Sequence, residues 1–199
     1  MGKTPTLDDF FGEKAREYEE NKNLKKLQIE TVHRALDLLE DNNPNINIEK
    51  LLDIGCGTGW SMEIMKERGY TDIQGVDISE DMLAFAREKE FEVQQADIRE
   101  RLPFIDEEFR SIIAISVMNF VEEGCKSENE IEQRYKHVAD EIFRILKPGG
   151  RAVLQHFKKP KNVEELMLTQ FRHKFTGGVI IDDENLRKEK RFLVIDKPI

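Results

Sequence analysis

Of the 199 residues only two are cysteine, Cys56 and Cys125. That excludes a disulfide framework and a thiolate-built zinc site, and it fits a cytoplasmic protein. Histidine is scarce as well. His33, His137, His156 and His173 share no ligand spacing, and no role is assigned to them. No apolar run approaches the roughly 20 residues that span a bilayer. No apolar stretch follows Met1-Gly2-Lys3-Thr4-Pro5 either, so neither a membrane segment nor a secretory signal is expected. Repeats and low-complexity stretches are also missing. What remains is one domain over residues 1–199, long enough to bury a real core.

Charge is plentiful but uneven. Residues 1–141 carry 18 basic and 33 acidic side chains, whereas residues 142–199 carry 13 basic and 7 acidic ones. Two readings of the basic final third stand side by side: a surface that faces phosphate, or ordinary solvated helix faces.

Periodicity divides the chain into a helical N-terminal segment (1–45) and an alternating β-α core (46–199). Residues 13–40 read as one long helix or two shorter ones, with Leu24, Leu27, Val32, Leu36 and Leu39 near helical spacing and Asp41-Asn42-Asn43-Pro44 as the stop. Strands are predicted over 50–54, 72–77, 91–95, 111–116 and 151–156, with 178–181 and 191–195 completing the sheet. Helices are predicted over 59–68, from Ser79 onward, over 129–146 and over 163–173. Alternation of this kind implies an α/β fold, a mostly parallel sheet with helices on both faces. Ligands on such sheets bind beyond the carboxyl ends of the strands.

The loop after the first strand reads Asp53-Ile54-Gly55-Cys56-Gly57-Thr58-Gly59. Its glycines let the backbone turn sharply and approach a ligand without a Cβ in the way. A nicotinamide-binding loop, G-x-G-x-x-G, would need its last glycine at Trp60. The spacing D-x-G-x-G-x-G resembles instead the S-adenosylmethionine (SAM) loop of the class I methyltransferases. That resemblance implies a Rossmann-like, seven-stranded fold. Asp77 ends the second strand, where a carboxylate can accept from both ribose hydroxyls, with Ile78 beside it. Asp97 follows the third strand and can accept from an adenine amino group, while Ile98 can pack on the ring. Ser116, at the end of the fourth strand, completes the candidate cofactor set. Each aspartate alone could be a cap or a loop residue; three at successive strand ends are not expected by chance.

Other segments resemble the same superfamily: Asp77–Arg87, Leu102-Pro103-Phe104 and Leu146-Lys147-Pro148-Gly149-Gly150. Arg110 departs from it, standing where the family has an aspartate. More narrowly, Phe11–Tyr18, Lys126–Asn129, Gly150–Gln155 and Phe175–Asp182 resemble the eukaryotic small-subunit ribosomal RNA guanine-N7 methyltransferases, the family of the Williams–Beuren-region methyltransferase. Their basic C-terminal extension is not part of this sequence, which points to a relative in a cell without a nucleus. The resemblance implies SAM as cofactor and S-adenosylhomocysteine as product. It also implies ribosomal RNA as acceptor and a lid over the cofactor that contains Tyr18. A small zinc-ribbon activator is implied too, docked on the edge strand Phe91–Gln95 of a sheet ordered 3-2-1-4-5-7-6. A structural helix start at Tyr18 and a solvated, unpartnered edge are the alternatives.

After the fourth strand the chain reads Ser116-Val117-Met118-Asn119-Phe120. It lacks the proline clamp used to methylate exocyclic amines. Guanine N7 carries a lone pair and no proton, so alignment suffices and no catalytic acid or base is nominated. Asn119 and Phe120 are candidates to hold the acceptor, or simply line the loop. A small-molecule methyltransferase and a SAM-binding ribosome-assembly factor are the competing functions.

Overall fold

Strands covered on both faces are built from unbroken apolar runs, and the centre of this sheet follows that rule. The computed structural model describes residues 5–41, 49–184, 186 and 189–199. All four residues of β1 (Leu51–Ile54) are buried, as are five of the seven in β4 (Phe109–Ile115). Successive side chains point to opposite faces. Leu52, Ile112 and Ala114 therefore enter one core with α5 (Glu128–Ile145) and α6 (Lys161–Arg172), and Leu51 and Ile113 enter another with α2 (Lys22–Glu40) and α3 (Trp60–Glu67).

β2 (Ile73–Asp77) and β3 (Glu92–Gln95) extend the sheet on one side of β1, and β5 (Leu146–His156), β7 (Lys190–Asp196) and β6 (Thr176–Asp182) extend it beyond β4. The order is β3-β2-β1-β4-β5-β7-β6. The first five strands are parallel, and β7 is antiparallel to both of its neighbours. The chain reverses its direction of travel between β1 and β4, the point at which open α/β sheets form a crevice. This is the α/β, Rossmann-like architecture expected from the sequence.

Among the described residues three α-helices begin at side-chain caps: α2, α5 and the helix that follows β2. Ser79 Oγ accepts from Met82 N ahead of α4 (Glu80–Glu88), whose first turn carries Glu80 and Asp81 and whose last carries Arg87; this is the charge placement that suits the helix dipole. Asn21 Oδ1 accepts from Leu24 N and divides the N-terminal helix into α1 (Glu13–Glu20) and α2, the second of the two expected arrangements. The expected stop at Asn42-Asn43-Pro44 lies outside the described residues. β5 starts five residues earlier than the apolar run suggested. Leu146 pairs with Phe109 ahead of a register shift, and Gly149 and Gly150 are tied to Lys197 by backbone hydrogen bonds of 2.8 and 2.9 Å. No helix among the described residues is long and apolar enough to cross a membrane.

Candidate functional site

The loops after β1, β2, β3 and β4 and the N-terminal segment enclose a cavity of about 540 Å³. Of the residues singled out in the sequence, Tyr18, Gly55, Gly57, Asp77, Ile78, Asp97, Ile98 and Ser116 line it. Asp53, Cys56 and Gly59 do not line it; they stand behind the wall and hold its shape.

The glycine loop turns through left-handed backbone, with φ of +73° at Gly55 and +54° at Gly57. A Cβ on Gly55 would lie 2.0 Å from Val117 Cγ2, so the β1 and β4 loops meet only because residue 55 has no side chain. Behind the loop, Cys56 is buried and packs on Gly75 of β2. Burial pushes its thiol well above the ordinary range, and the Asp53 and Asp77 carboxylates add to that. Asp53 is 1% exposed and accepts from Ser61 Oγ in the first turn of α3. Burial raises its carboxyl to about 7 despite that hydrogen bond.

Asp77 closes β2 with its carboxylate already oriented. Oδ2 accepts from Gly57 N and Oδ1 from Ser79 N, both at 2.9 Å. About two lone pairs remain for a ligand, and Asp77 lines the cavity beside Ile78. Burial raises the Asp77 carboxyl, and the backbone donors oppose it. Asp97, after β3, accepts from the guanidinium of Arg99 at 2.6–2.9 Å. Burial works against its ionised form, but those hydrogen bonds outweigh it and hold the carboxyl below its usual range.

The N-terminal segment lies across the mouth. Tyr18 stacks on Trp60, and Phe10 sits edge-on between Tyr18 and Phe120, with centroids 5.8 and 5.4 Å away. Backbone contacts fasten the segment: Ser79 Oγ donates to Phe10 O at 2.5 Å, Gly12 N to Asp81 Oδ2 at 2.7 Å, and Leu7 N to Glu123 Oε2 at 3.3 Å. Burial raises the Tyr18 phenol, and Asp77 reinforces that. Phe10, Gln28, Arg99 and Phe157 also line the cavity and carried no motif in the sequence, and Lys14, within the segment Phe11–Tyr18, lines it as well.

On the opposite wall Ser116 adopts a left-handed φ of +65° and donates through N and Oγ to Gln155 Oε1 of β5. Asn119 is spent within the protein: Nδ2 donates to Ser116 O, and Oδ1 accepts from Phe157 N. It ties the β4 and β5 ends together. Phe120 faces the cavity, and Phe157 stands 47% exposed on its rim. Among the described residues no group of histidine, cysteine, aspartate and glutamate side chains could hold a metal.

A family described as methyltransferase domain matches residues 52–154, just over half of the chain and all four loops of the crevice. The chain belongs to that methyltransferase family. It is 29% identical over 185 residues to the 18S rRNA (guanine-N(7))-methyltransferase bud23 of Schizosaccharomyces pombe, covering 91% of this chain and 67% of that protein. It is 35% identical over 183 residues to the 18S rRNA (guanine-N(7))-methyltransferase of Bos taurus, covering 89% and 63%. The methyltransferase thus spans about two thirds of the length of these curated relatives. Among solved structures it shares its fold with an S-adenosyl-L-methionine-dependent methyltransferase of Methanococcus maripaludis, at a TM-score of 0.67 and 17% identity, covering all of this chain and 98% of that one.

Proposed function

We propose that this chain transfers the methyl group of SAM to N7 of a guanine in small-subunit ribosomal RNA. The observation that carries the reading is the reach of the similarity. Alignments of more than 180 residues to 18S rRNA guanine-N7 methyltransferases run well past the shared domain at 52–154 and take in flanking regions of the chain.

The crevice fits the cofactor. Gly55 and Gly57 line the cavity and leave backbone open to the methionine part, and the prepositioned Asp77 carboxylate suits the ribose hydroxyls. Asp97 and Ile98 suit the adenine, and Tyr18 covers the methionine end as part of a lid over residues 7–20. When bound, SAM supplies a methyl group on a sulfonium. The residues of this chain orient that methyl toward the Phe120–Phe157 side and exclude water through Phe10 and Tyr18. Guanine N7 needs no deprotonation, so proximity and orientation supply the acceleration.

A zinc-ribbon activator is proposed along β3. That strand is the sheet edge, and Glu92, Gln94 and Gln95 are exposed while Val93 is half-buried. Its unpaired backbone groups suit strand addition. Phe91 is less free than the sequence suggested, because its ring lies 3.0 Å from where a Gly59 Cβ would stand. Val93→Lys is therefore the cleaner probe of docking in a co-purification assay, and full affinity in that variant would place the partner elsewhere.

The deciding experiment is methyl transfer from labelled SAM to small-subunit ribosomal RNA, beside a small-molecule panel, with and without the activator. Label in RNA at a guanine N7 supports the reading. Label in a small molecule alone moves the acceptor. Binding with no transfer to any acceptor would leave an assembly factor.

A further inference from the structure

Asp97 and Arg99 face each other across the turn after β3, and both line the cavity. Asp97 Oδ1 accepts from the Arg99 backbone N and from Nε, each at 2.9 Å. Oδ2 accepts from Nε at 2.9 Å and from Nη2 at 2.6 Å. A carboxylate offers about four lone-pair directions; three N–H groups of Arg99 engage both oxygens, with the single Nε proton shared between them. The acceptor proposed above for the adenine amino group is therefore already held by a guanidinium of the same chain. The two side chains are 21% and 23% exposed, so the pair is open to a ligand in the cavity yet partly shielded from water. Arg99 has other carboxylates to turn to. Glu123, on the loop after β4, and Glu100 also attract it, while Arg134 is the second cation near Asp97.

We propose that Arg99 is a displaceable latch on the adenine subsite: the 6-amino group of the cofactor takes over Asp97, and the guanidinium turns away toward Glu123. The backbone N–H of Arg99 keeps its own bond to Oδ1, so the turn holds its shape while the side chain leaves. Arg99 is thus a gating residue that acts through Asp97. It makes the site weaker for adenosyl ligands than its geometry permits, and it keeps the Asp97 carboxylate paired when no ligand is present. The proposal rests on the cofactor reading of the cavity.

Calorimetric titration of the full chain with S-adenosylhomocysteine tests it. Arg99→Ala is expected to bind about three- to tenfold more tightly than wild type, the scale of a half-buried ion pair. Arg99→Lys keeps the charge but loses the planar fork and should fall between them. With the S-adenosylhomocysteine analogue that lacks the 6-amino group, wild type and Arg99→Ala should bind alike, because nothing competes for Asp97. Unchanged or weaker S-adenosylhomocysteine binding in Arg99→Ala overturns the latch, as does an equal gain for both ligands. Asp77→Ala separates the two levels. If wild type binds and Asp77→Ala binds at least about tenfold more weakly, the cofactor reading stands whatever Arg99 does; if wild type fails to bind, both fall together.

Discussion

Tyr18 and Trp60 lie face to face, with ring centroids 4.6 Å apart and planes inclined by 16°. One ring comes from the N-terminal segment and the other from the first residue of α3, so the stack ties that segment to the helix that follows the glycine loop. Trp60 is the sole tryptophan of the chain, so its emission reports on this surround, which also includes Lys25 over the ring. Tyr18→Ala is expected to shift that emission and to weaken S-adenosylhomocysteine binding by about 0.5–1.5 kcal/mol, the usual range for an aromatic pair. Tyr18→Phe should keep most of both. Fluorescence titration of the three proteins checks the outcome. Hydrogen exchange across residues 10–20 that ignores the ligand would show that the segment is not a lid.

Asp77 should dominate the affinity. Its carboxylate is fixed by two backbone donors before any ligand arrives, so little orientation is lost on binding. Asp77→Ala is expected to cost about 1.5–3 kcal/mol in calorimetry, the range for a charge-assisted contact. Affinity equal to wild type would remove the ribose assignment.

Much of this site could be read from the chain because it hangs on strand ends. Asp77 ends β2 and Asp97 follows β3, and in a parallel sheet such strand ends form the rim of the crevice, whereas Asp53, inside β1, is buried behind the wall. The other wall was not legible in that way. Phe10, Lys14 and Gln28 reach the cavity only because the N-terminal segment folds back over it, and no local pattern records that long-range contact. Asn119 shows a different limit. Its residue type suits an acceptor ligand, but both ends of its amide are taken by Ser116 and Phe157. Arg99 has no signature at all, since its partner is two residues away and only side-chain geometry shows how completely it occupies Asp97.

The proton on Asp53 should make stability depend on pH. Burial pushes its folded carboxyl up to about 7, above the ordinary carboxylate range, so the native state holds the proton more tightly than the unfolded chain. Stabilisation from this group is complete below about pH 4 and is lost as pH rises through about 7. Asp53→Asn removes that dependence while keeping an acceptor for Ser61. Thermal melts between about pH 5 and pH 8 should show a steeper fall with pH in wild type than in Asp53→Asn; parallel curves would rule out a raised carboxyl.

Gly55→Ala meets two obstacles at once. A Cβ would strike Val117 Cγ2, and the left-handed φ of +73° penalises any side chain there. Trimming the neighbour relieves only the first. Gly55→Ala with Val117→Ala is expected to recover part of the lost stability, leaving a deficit of about 1–2 kcal/mol from the backbone. Chemical denaturation of the single and double variants would expose full recovery, which would contradict the conformational part.

The Ser79 hydroxyl serves two neighbours through different atoms. Its one proton goes outward to the Phe10 carbonyl, and its oxygen accepts inward from Met82 N. Raising the N-terminal segment breaks the outward bond and leaves the inward one untouched, so α4 keeps its first turn while the mouth is open. Gly12, at a φ of +62° with nothing near its missing Cβ, sits between a short 3-10 helix at Leu7–Phe10 and α1. In the proposed lid role the segment would swing like a door on a fixed frame, admitting a bulky acceptor at the cost of a few water-exchangeable hydrogen bonds and with no strand or helix of the core unravelling.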